Sequence, residues 1–234
     1  HSGSCAAASG GVTSFLDMPN NNPPVTTIKK MSEKKQIAAE KSVVNYGFFI
    51  GATPDNLEEL NAVENVCGIK IFMGASTGDL LVDDPDTLEN IFANGTKLIA
   101  VHAEDESILQ ENRKLMNGID DVRIHSRIRD ESAALSATKL AVRLSIKYLR
   151  RLHILHLTTE EECDFLRTLP REHHISTEVC PQHLVLTSPE CYEHLGTMVQ
   201  MNPPIRSKRH TVALWKALKD GIIDCIATDH APHT

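Results

Sequence analysis

The stretch Gly68-Ile69-Lys70-Ile71-Phe72-Met73 places a lysine in the middle of an apolar run. Ile, Phe and Met favour a buried, pleated setting, so the run predicts a short β-strand. Burial is costly for a cation and drives a lysine amine towards its neutral, reactive form. A neutral amine can react with CO2 to give a carbamate, whose two oxygens and negative charge can bridge a pair of metal ions. The alternative is a structural Lys70 that reaches past the strand end to a surface carboxylate.

Strand and helix patterns alternate on both sides of this run. The predicted strands are residues 12–18, 43–51, 68–73, 97–102, 152–157, 175–179 and 222–228, with a short extra strand at 198–201. The predicted helices are residues 2–9, 27–41, 53–64, 85–93, 105–116, 131–150, 159–169 and 207–220. Residues 117–129 are predicted to be a loop. Such alternation requires parallel strands joined by crossover helices.

The economical architecture is an α/β fold of the TIM type, a (β/α)8 barrel that lacks its first strand and its closing C-terminal helix. Residues 1–234 would then form one partial catalytic barrel. The alternative is a doubly wound open sheet, but no glycine-rich phosphate loop follows a strand to support it.

The composition argues against several classes of function. Of the 234 residues, 41% are hydrophobic and 24% are charged, which is typical of a globular protein. A net charge of −7 without a basic stripe argues against nucleic-acid binding. No apolar run is long enough to cross a membrane, and no signal-peptide pattern is found. The six cysteines avoid C-x-x-C motifs, which predicts reduced residues in a cytoplasmic protein.

Polar residues follow the predicted strands at the end where a parallel barrel collects its reactive groups. In chain order they are Asn20, Lys70, His102, His156, Asn202 and Asp229. Each histidine alone is more simply explained as a structural residue. Four residues of ligand type at equivalent positions, namely Lys70, His102, His156 and Asp229, nevertheless favour a site for Zn²⁺ or a similar ion. Side chains alternate along a strand, so His153 and His156 are expected to face opposite sides, with His156 the better ligand candidate.

Six segments occur in an order that covers essentially the whole chain. They are Asp17-Met18-Pro19-Asn20, Lys70-Ile71-Phe72-Met73, Val101-His102-Ala103-Glu104, His156-Leu157-Thr158-Thr159, Met201-Asn202-Pro203-Pro204-Ile205-Arg206 and Ala227-Thr228-Asp229-His230-Ala231-Pro232-His233. In combination they resemble the motifs of dihydroorotases, metal-dependent cyclic amidases of the amidohydrolase superfamily. Allantoinases and dihydropyrimidinases share the lysine strand and the two histidines, but the first, fifth and sixth segments favour dihydroorotase.

The resemblance implies a role for each matched residue. A carbamylated Lys70 would bridge two zinc ions, with His102 and His156 on the second of them. Asp229 would contact the first ion and act as general base and acid. The substrate would be held by Asn20, Asn202 and His233, with its carboxylate on Asn20 and His233. The role of Arg206 and that of the loop at 74–84 are left open, as is the identity of the metal.

The implied activity is the reversible, zinc-dependent hydrolysis of dihydroorotate to N-carbamoyl-L-aspartate in de novo pyrimidine biosynthesis. The implied partner is this small substrate, with no nucleic acid and no membrane, and a homodimer is a candidate assembly. One alternative is another cyclic amidase, such as a hydantoinase or an allantoinase. The other is a non-catalytic, dihydroorotase-like partner of aspartate transcarbamoylase.

The chain departs from the family pattern at its two ends. The family carries a His-x-His pair and a substrate-binding Arg at its first strand, and it builds a small β-sandwich from its termini. Neither feature is in these residues, and His1 is a lone histidine before a helix. We therefore expect a portion of a longer enzyme, with an incomplete or absent metal set, that is inactive and poorly stable by itself.

Overall fold

The computed structural model describes residues 1–74, 80–170 and 174–231 and shows an α/β fold. Seven strands occur in these three ranges, and their described pairings are parallel. The chain divides into two compact units. Among the described residues, the first unit comprises 1–72 and 80–100, and the second comprises 73–74, 101–170 and 174–231. None of the helices in these ranges is long and apolar enough to span a membrane.

The first unit closely follows the predicted alternation. Its helices are α1 (Ser2–Ser9), α2 (Ile28–Lys41), α3 (Leu57–Ala62) and α4 (Pro85–Ala93). Its strands are β1 (Ser14–Asp17), β2 (Asn45–Gly51) and β3 (Gly68–Phe72), and the chain enters the second unit within β4 (Ile99–His102). Strand β2 pairs with both β1 and β3, and the register sets Gly51 opposite Lys70.

The lysine run forms β3 as predicted, and Gly68, Ile69, Lys70 and Ile71 are buried. The Ile69 N–H donates to the Leu98 carbonyl at 2.8 Å. At Gly68 a Cβ atom would lie 2.5 Å from that same carbonyl oxygen. This position therefore requires glycine, because backbone from the next strand occupies the space of a side chain.

The second unit contains more helix than the sequence pattern indicates. Its helices are α5 (Glu106–Leu115), α6 (His125–Ile128), α7 (Glu131–Tyr148), α8 (Glu160–Arg167), α9 (Pro181–Val185), α10 (Glu190–Leu195) and α11 (Lys208–Lys219). Its further strands are β5 (Leu152–Ile154), β6 (Ile175–Val179) and β7 (Cys225–Ile226), and β6 pairs with both β5 and β7.

Three sequence-based assignments in this unit are wrong. The predicted loop at 117–129 contains a 3-10 turn at Val122–Ile124 and helix α6. The predicted strand at 198–201 is not formed: its first two residues belong to a 3-10 turn, Gly196–Val199, which begins at a glycine with a φ of +57°. Helices α9 and α10 were not predicted, although α9 begins at Pro181, which the first turn of a helix tolerates, and Pro189 directly precedes α10.

The last strand is shorter than predicted because side chains replace part of its ladder. The Thr177 N–H donates to the Asp224 carboxylate at 2.7 Å, and the Thr177 hydroxyl donates to the Ile222 carbonyl at 2.8 Å. Only Cys225–Ile226 then pairs as strand β7, instead of the whole of residues 222–228. The chain reaches Asp229 with a backbone φ of +47°.

Candidate metal centre

Two buried histidines face each other in the second unit. His102 is the last residue of β4, and His156 lies just beyond β5. The Nδ1 atom of His102 and the Nε2 atom of His156 are 3.1 Å apart. Their ring planes are inclined at 73°, with centroids 4.7 Å apart. The structure thus brings together two of the predicted metal ligands.

Backbone geometry explains how His156 reaches this position. Strand β5 ends at Ile154, and the Leu155 N–H donates to the Val101 carbonyl at 3.1 Å. His156 itself has a φ of +37°, in a region that L-residues rarely adopt. The alternation that predicts opposite faces for His153 and His156 therefore does not extend past Ile154.

Glu104 fixes the orientation of His102. Its Oε2 atom lies 2.6 Å from the Nε2 atom of His102, and Arg129 forms an ion pair with the same oxygen. Burial alone would raise the pKa of Glu104, but the hydrogen bond and charge of His102, with the Arg129 guanidinium, outweigh it and lower the pKa to about 2. An ionised carboxylate only accepts hydrogen bonds, so His102 Nε2 carries a proton towards it. In the neutral imidazole the lone pair of His102 then lies on Nδ1, the atom that faces His156.

Arg206 braces this cluster from a buried position. Its Nη1 atom donates to the Arg129 carbonyl at 2.5 Å, and its Nε atom donates to the Thr158 hydroxyl at 3.1 Å. Burial lowers the pKa of Arg206, although nearby carboxylates, Glu104 first among them, act in the opposite direction. Arg206 therefore positions Arg129, which in turn holds Glu104.

Three buried atoms of the cluster lack a hydrogen-bond partner within the described ranges. They are Glu104 Oε1, Arg129 Nε and Arg206 Nη2. Buried polar groups are almost always paired, with water or a ligand where protein does not serve. These atoms therefore mark positions where water or a bound molecule completes the site.

A pocket of about 400 Å³ opens beside Arg129. It is lined by Arg113, His125, Ile128, Arg129, Gln200, Met201 and Asn202. His125 Nε2 donates to the Met201 carbonyl at 2.9 Å, and burial lowers the pKa of this imidazole. The pocket thus combines two guanidinium groups with the amide of Asn202, a lining suited to an anionic small molecule.

The other predicted site residues are placed as follows. Lys70 lies in the first unit, where it is 2% exposed and its Nζ atom lies 4.3 Å from the centre of the Phe72 ring. This burial argues against the alternative in which Lys70 reaches a surface carboxylate. Asn20, Asn202 and Asp229 are exposed, and His233 lies outside the described residues, as do residues 75–79 of the loop at 74–84.

Glu104, Arg129 and His125 are site residues that the sequence analysis missed. Glu104 had a usable signal, because a carboxylate two positions after a metal-binding histidine can accept its second ring N–H. Arg129 and His125 lie in a segment taken for a loop, so no strand end pointed to them.

Comparisons with known proteins show which enzymes the chain is similar to. No family model matches the chain. A dihydroorotase of Methanosarcina acetivorans is 36% identical over 100% of this chain and 52% of its own length. An allantoinase of Streptomyces avermitilis is 34% identical over 98% of this chain and 53% of its own length. The chain thus spans about half the length of these relatives.

Solved structures show the same relationship in the fold. The L-hydantoinase from Arthrobacter aurescens superposes with a TM-score of 0.93 and 28% identity, over 98% of this chain and 53% of that protein. The prediction of an α/β fold with parallel strands is thereby confirmed, and the fold is like that of this hydantoinase. The missing first strand and last helix stay predictions. In sequence and in fold the chain is related along its length to dihydroorotases and hydantoinases, and it belongs to the amidohydrolase superfamily.

Proposed function

We propose that this chain forms the catalytic part of a metal-dependent cyclic amidase, and that its reaction is the reversible hydrolysis of dihydroorotate to N-carbamoyl-L-aspartate. The observation that carries the proposal is the pair His102–His156, whose ring nitrogens lie 3.1 Å apart. The order of the motifs and the similarity to several dihydroorotases support this substrate over others.

The residues of the second unit fit a metal ion. In its neutral form His102 presents an unprotonated Nδ1 because its Nε2–H donates a hydrogen bond to Glu104, and a carboxylate–histidine pair of this kind is typical of metal sites. We propose that His102 and His156 would hold zinc, and that Asp229 and a carbamylated Lys70 would be the further ligands that the family resemblance implies. When bound, such ions lower the pKa of water so that hydroxide exists near neutral pH.

The chain's own residues would do the remaining work. In the proposed mechanism, Asp229 accepts the proton of the attacking water and returns it to the ring nitrogen that leaves. Asn20, Asn202 and His233 hold the substrate, with Asn20 and His233 on its carboxylate. The position of Asn202 in a pocket with Arg113 and Arg129 supports an anionic substrate.

A hydantoinase or allantoinase activity is the second candidate. It is favoured by the 34% identity to an allantoinase and by the fold of the L-hydantoinase. The third candidate is a non-catalytic partner of aspartate transcarbamoylase, and the buried His102–His156 pair argues against it. A homodimer and a cytoplasmic location remain predictions.

A substrate panel on the full-length protein, loaded with zinc, tests these candidates. Dihydroorotate, dihydrouracil, allantoin and hydantoin are supplied in turn, and ring opening is followed for each. We expect the highest kcat/KM with dihydroorotate and a loss of more than about 100-fold in His102→Asn, which removes a proposed ligand. The matched control is His194→Asn, an exposed histidine whose ring bonds the Glu190 carbonyl.

Two outcomes contradict the proposal in different ways. A preference for hydantoin or allantoin would contradict the proposed substrate but would leave the assignment as a metal-dependent cyclic amidase intact. Equal activity in His102→Asn and His194→Asn would show that the pair His102–His156 takes no part in the reaction.

A further inference from the structure

A second set of metal-type ligands lies on one face of the strands in the second unit. The register of β5 and β6 sets His153 opposite Ser176, and that of β6 and β7 sets Glu178 opposite Cys225. Ser176 and Glu178 are two residues apart on β6, so their side chains share a face. One atom each from His153, Glu178 and Cys225 lies within 4.8 Å of the other two.

Ser176 supports two states of the His153 ring. The Nδ1 atom of His153 is 2.8 Å from the Ser176 hydroxyl, and its Nε2 atom is 3.0 Å from Glu178 Oε2. Without a metal, Nε2–H donates to Glu178 and the hydroxyl donates to Nδ1. With a metal on Nε2, the hydroxyl rotates and accepts from Nδ1–H, because a hydroxyl serves as donor or acceptor. Metal-binding histidines are commonly oriented in this second way.

Cys225 supplies a thiol that a cation could convert to thiolate. Its Sγ atom is 3.9 Å from the Thr177 carbonyl oxygen, a weak hydrogen bond that leaves the sulfur able to turn. Burial, followed by the charges of Glu178 and Asp224, raises the pKa of this thiol. A divalent cation displaces the thiol proton, since the thiolate is the form that binds metal.

The donor set selects the class of metal. One imidazole, one carboxylate and one thiolate suit Zn²⁺ or Co²⁺, whereas Mg²⁺ and Ca²⁺ prefer oxygen donors alone. Bond lengths of about 2.0–2.3 Å require the three donor atoms to move together from their present spacing. Cys225 is exposed and His153 is half-buried, so ions can reach these two ligands from solvent.

We propose that His153, Glu178 and Cys225 bind a zinc-class divalent cation at a site whose ligands are distinct from His102 and His156. Three protein ligands leave the fourth tetrahedral position to water. The proposal does not depend on the cyclic amidase assignment, because it uses none of the residues assigned to that reaction.

Titration of the metal-free, full-length protein with Co²⁺ tests the site. A cobalt–thiolate bond gives a near-ultraviolet charge-transfer band, and the ligands proposed for the amidase centre include no cysteine. We expect the band in the unaltered protein and its loss in Cys225→Ser, together with one fewer cobalt ion bound per chain. The matched control is Cys67→Ser, which alters a half-buried thiol outside this ligand set and should keep the band.

Two further variants separate ligand loss from misfolding. His153→Gln leaves the thiol in place and should weaken the cobalt affinity read from this band by at least about tenfold, and Ser176→Ala should weaken it by about 10–100-fold through the ring orientation. Circular dichroism verifies the fold of each variant. An unchanged band in Cys225→Ser, or an unchanged affinity in a folded His153→Gln, would overturn the proposal.

Discussion

The two histidine sites of the second unit differ in how their carboxylates are neutralised. Glu104 is completely buried and is held by His102 and by the permanent charge of Arg129. Glu178 is 8% exposed, and the ion pair described for it is with His153. A carboxylate already committed to an arginine orients a ligand but is poorly available as one. Glu104 is therefore suited to position a metal ligand, whereas Glu178 is suited to become a ligand itself.

The largest effect is expected from breaking the two ion pairs in turn. Glu104→Gln leaves the Arg129 charge buried without its partner and should lower the free energy of unfolding by about 3–5 kcal/mol. Glu178→Gln, in the more exposed pair, should cost about 1 kcal/mol or less. Urea unfolding of both variants measures the two values. Similar losses in the two variants would show that the buried arginine does not distinguish the sites.

A third histidine, His183, extends the comparison to the pH dependence of stability. His183 donates from Nε2 to the Pro203 carbonyl at 3.0 Å, while its buried Nδ1 has no hydrogen-bond partner in the described parts of the chain. Burial lowers the pKa of His183 to about 4, and the charge of Arg206 acts in the same direction, while the hydrogen bond to the Pro203 carbonyl and the charge of Glu104 oppose it.

The direction of the pH effect follows from that lowered pKa. The unfolded chain, with a histidine pKa of about 6.5, binds more protons than the folded chain between pH 6.5 and 4. The contribution of neutral His183 is thus complete above pH 6.5 and is lost as the pH falls towards 4, by roughly 3 kcal/mol in all. Unfolding free energies measured across this window should vary less in His183→Gln than in the unaltered protein. The exposed change His194→Gln serves as control, and equal slopes in both variants would contradict the assignment.

The smallest effect is an increase in the free energy of unfolding. We expect it at a residue with a left-handed backbone whose side chain has no described role. Leu149 directly follows α7 with a φ of +51° and is 80% exposed, whereas His156 has a φ of +37° and is buried beside His102. Leu149→Gly should raise the free energy of unfolding by up to about 1 kcal/mol, since glycine adopts this conformation without strain. Thermal unfolding measures the gain, with Leu115→Gly, at an exposed helical leucine, as a control that should destabilise. A loss of stability in Leu149→Gly would show that backbone strain at this residue is negligible.

Much of the fold was predictable because buried strands leave a continuous apolar signal. The run at 68–73 became β3, and residues 43–51 contain β2, with small differences at the ends. Strand β7 was predicted to be too long. Thr177 donates hydrogen bonds to the Asp224 carboxylate and to the Ile222 carbonyl in place of regular strand pairing, and no local sequence pattern reveals contacts between residues so far apart in the chain. Helix α6 was missed because it is only four residues long and mostly polar.

The candidate site was predictable only in part, for a similar reason. His102 and His156 follow apolar strands, so their positions could be inferred from one strand each. The pair Glu104–Arg129 joins residues from a strand end and a supposed loop, and the charge compensation that keeps Glu104 ionised depends on that distant contact. The face shared by His153 and Cys225 required the registers of two strand pairs.

The left-handed backbone at His156 and Asp229 has a consequence for laboratory evolution. Glycine would relax the chain at either residue, yet it would delete the imidazole or the carboxylate on which the proposed chemistry depends. A selection that rewards heat resistance alone would therefore enrich glycine at these two codons and return robust but inactive proteins. Libraries built on this chain should hold both codons constant, or alternate rounds of heating with rounds that reward turnover.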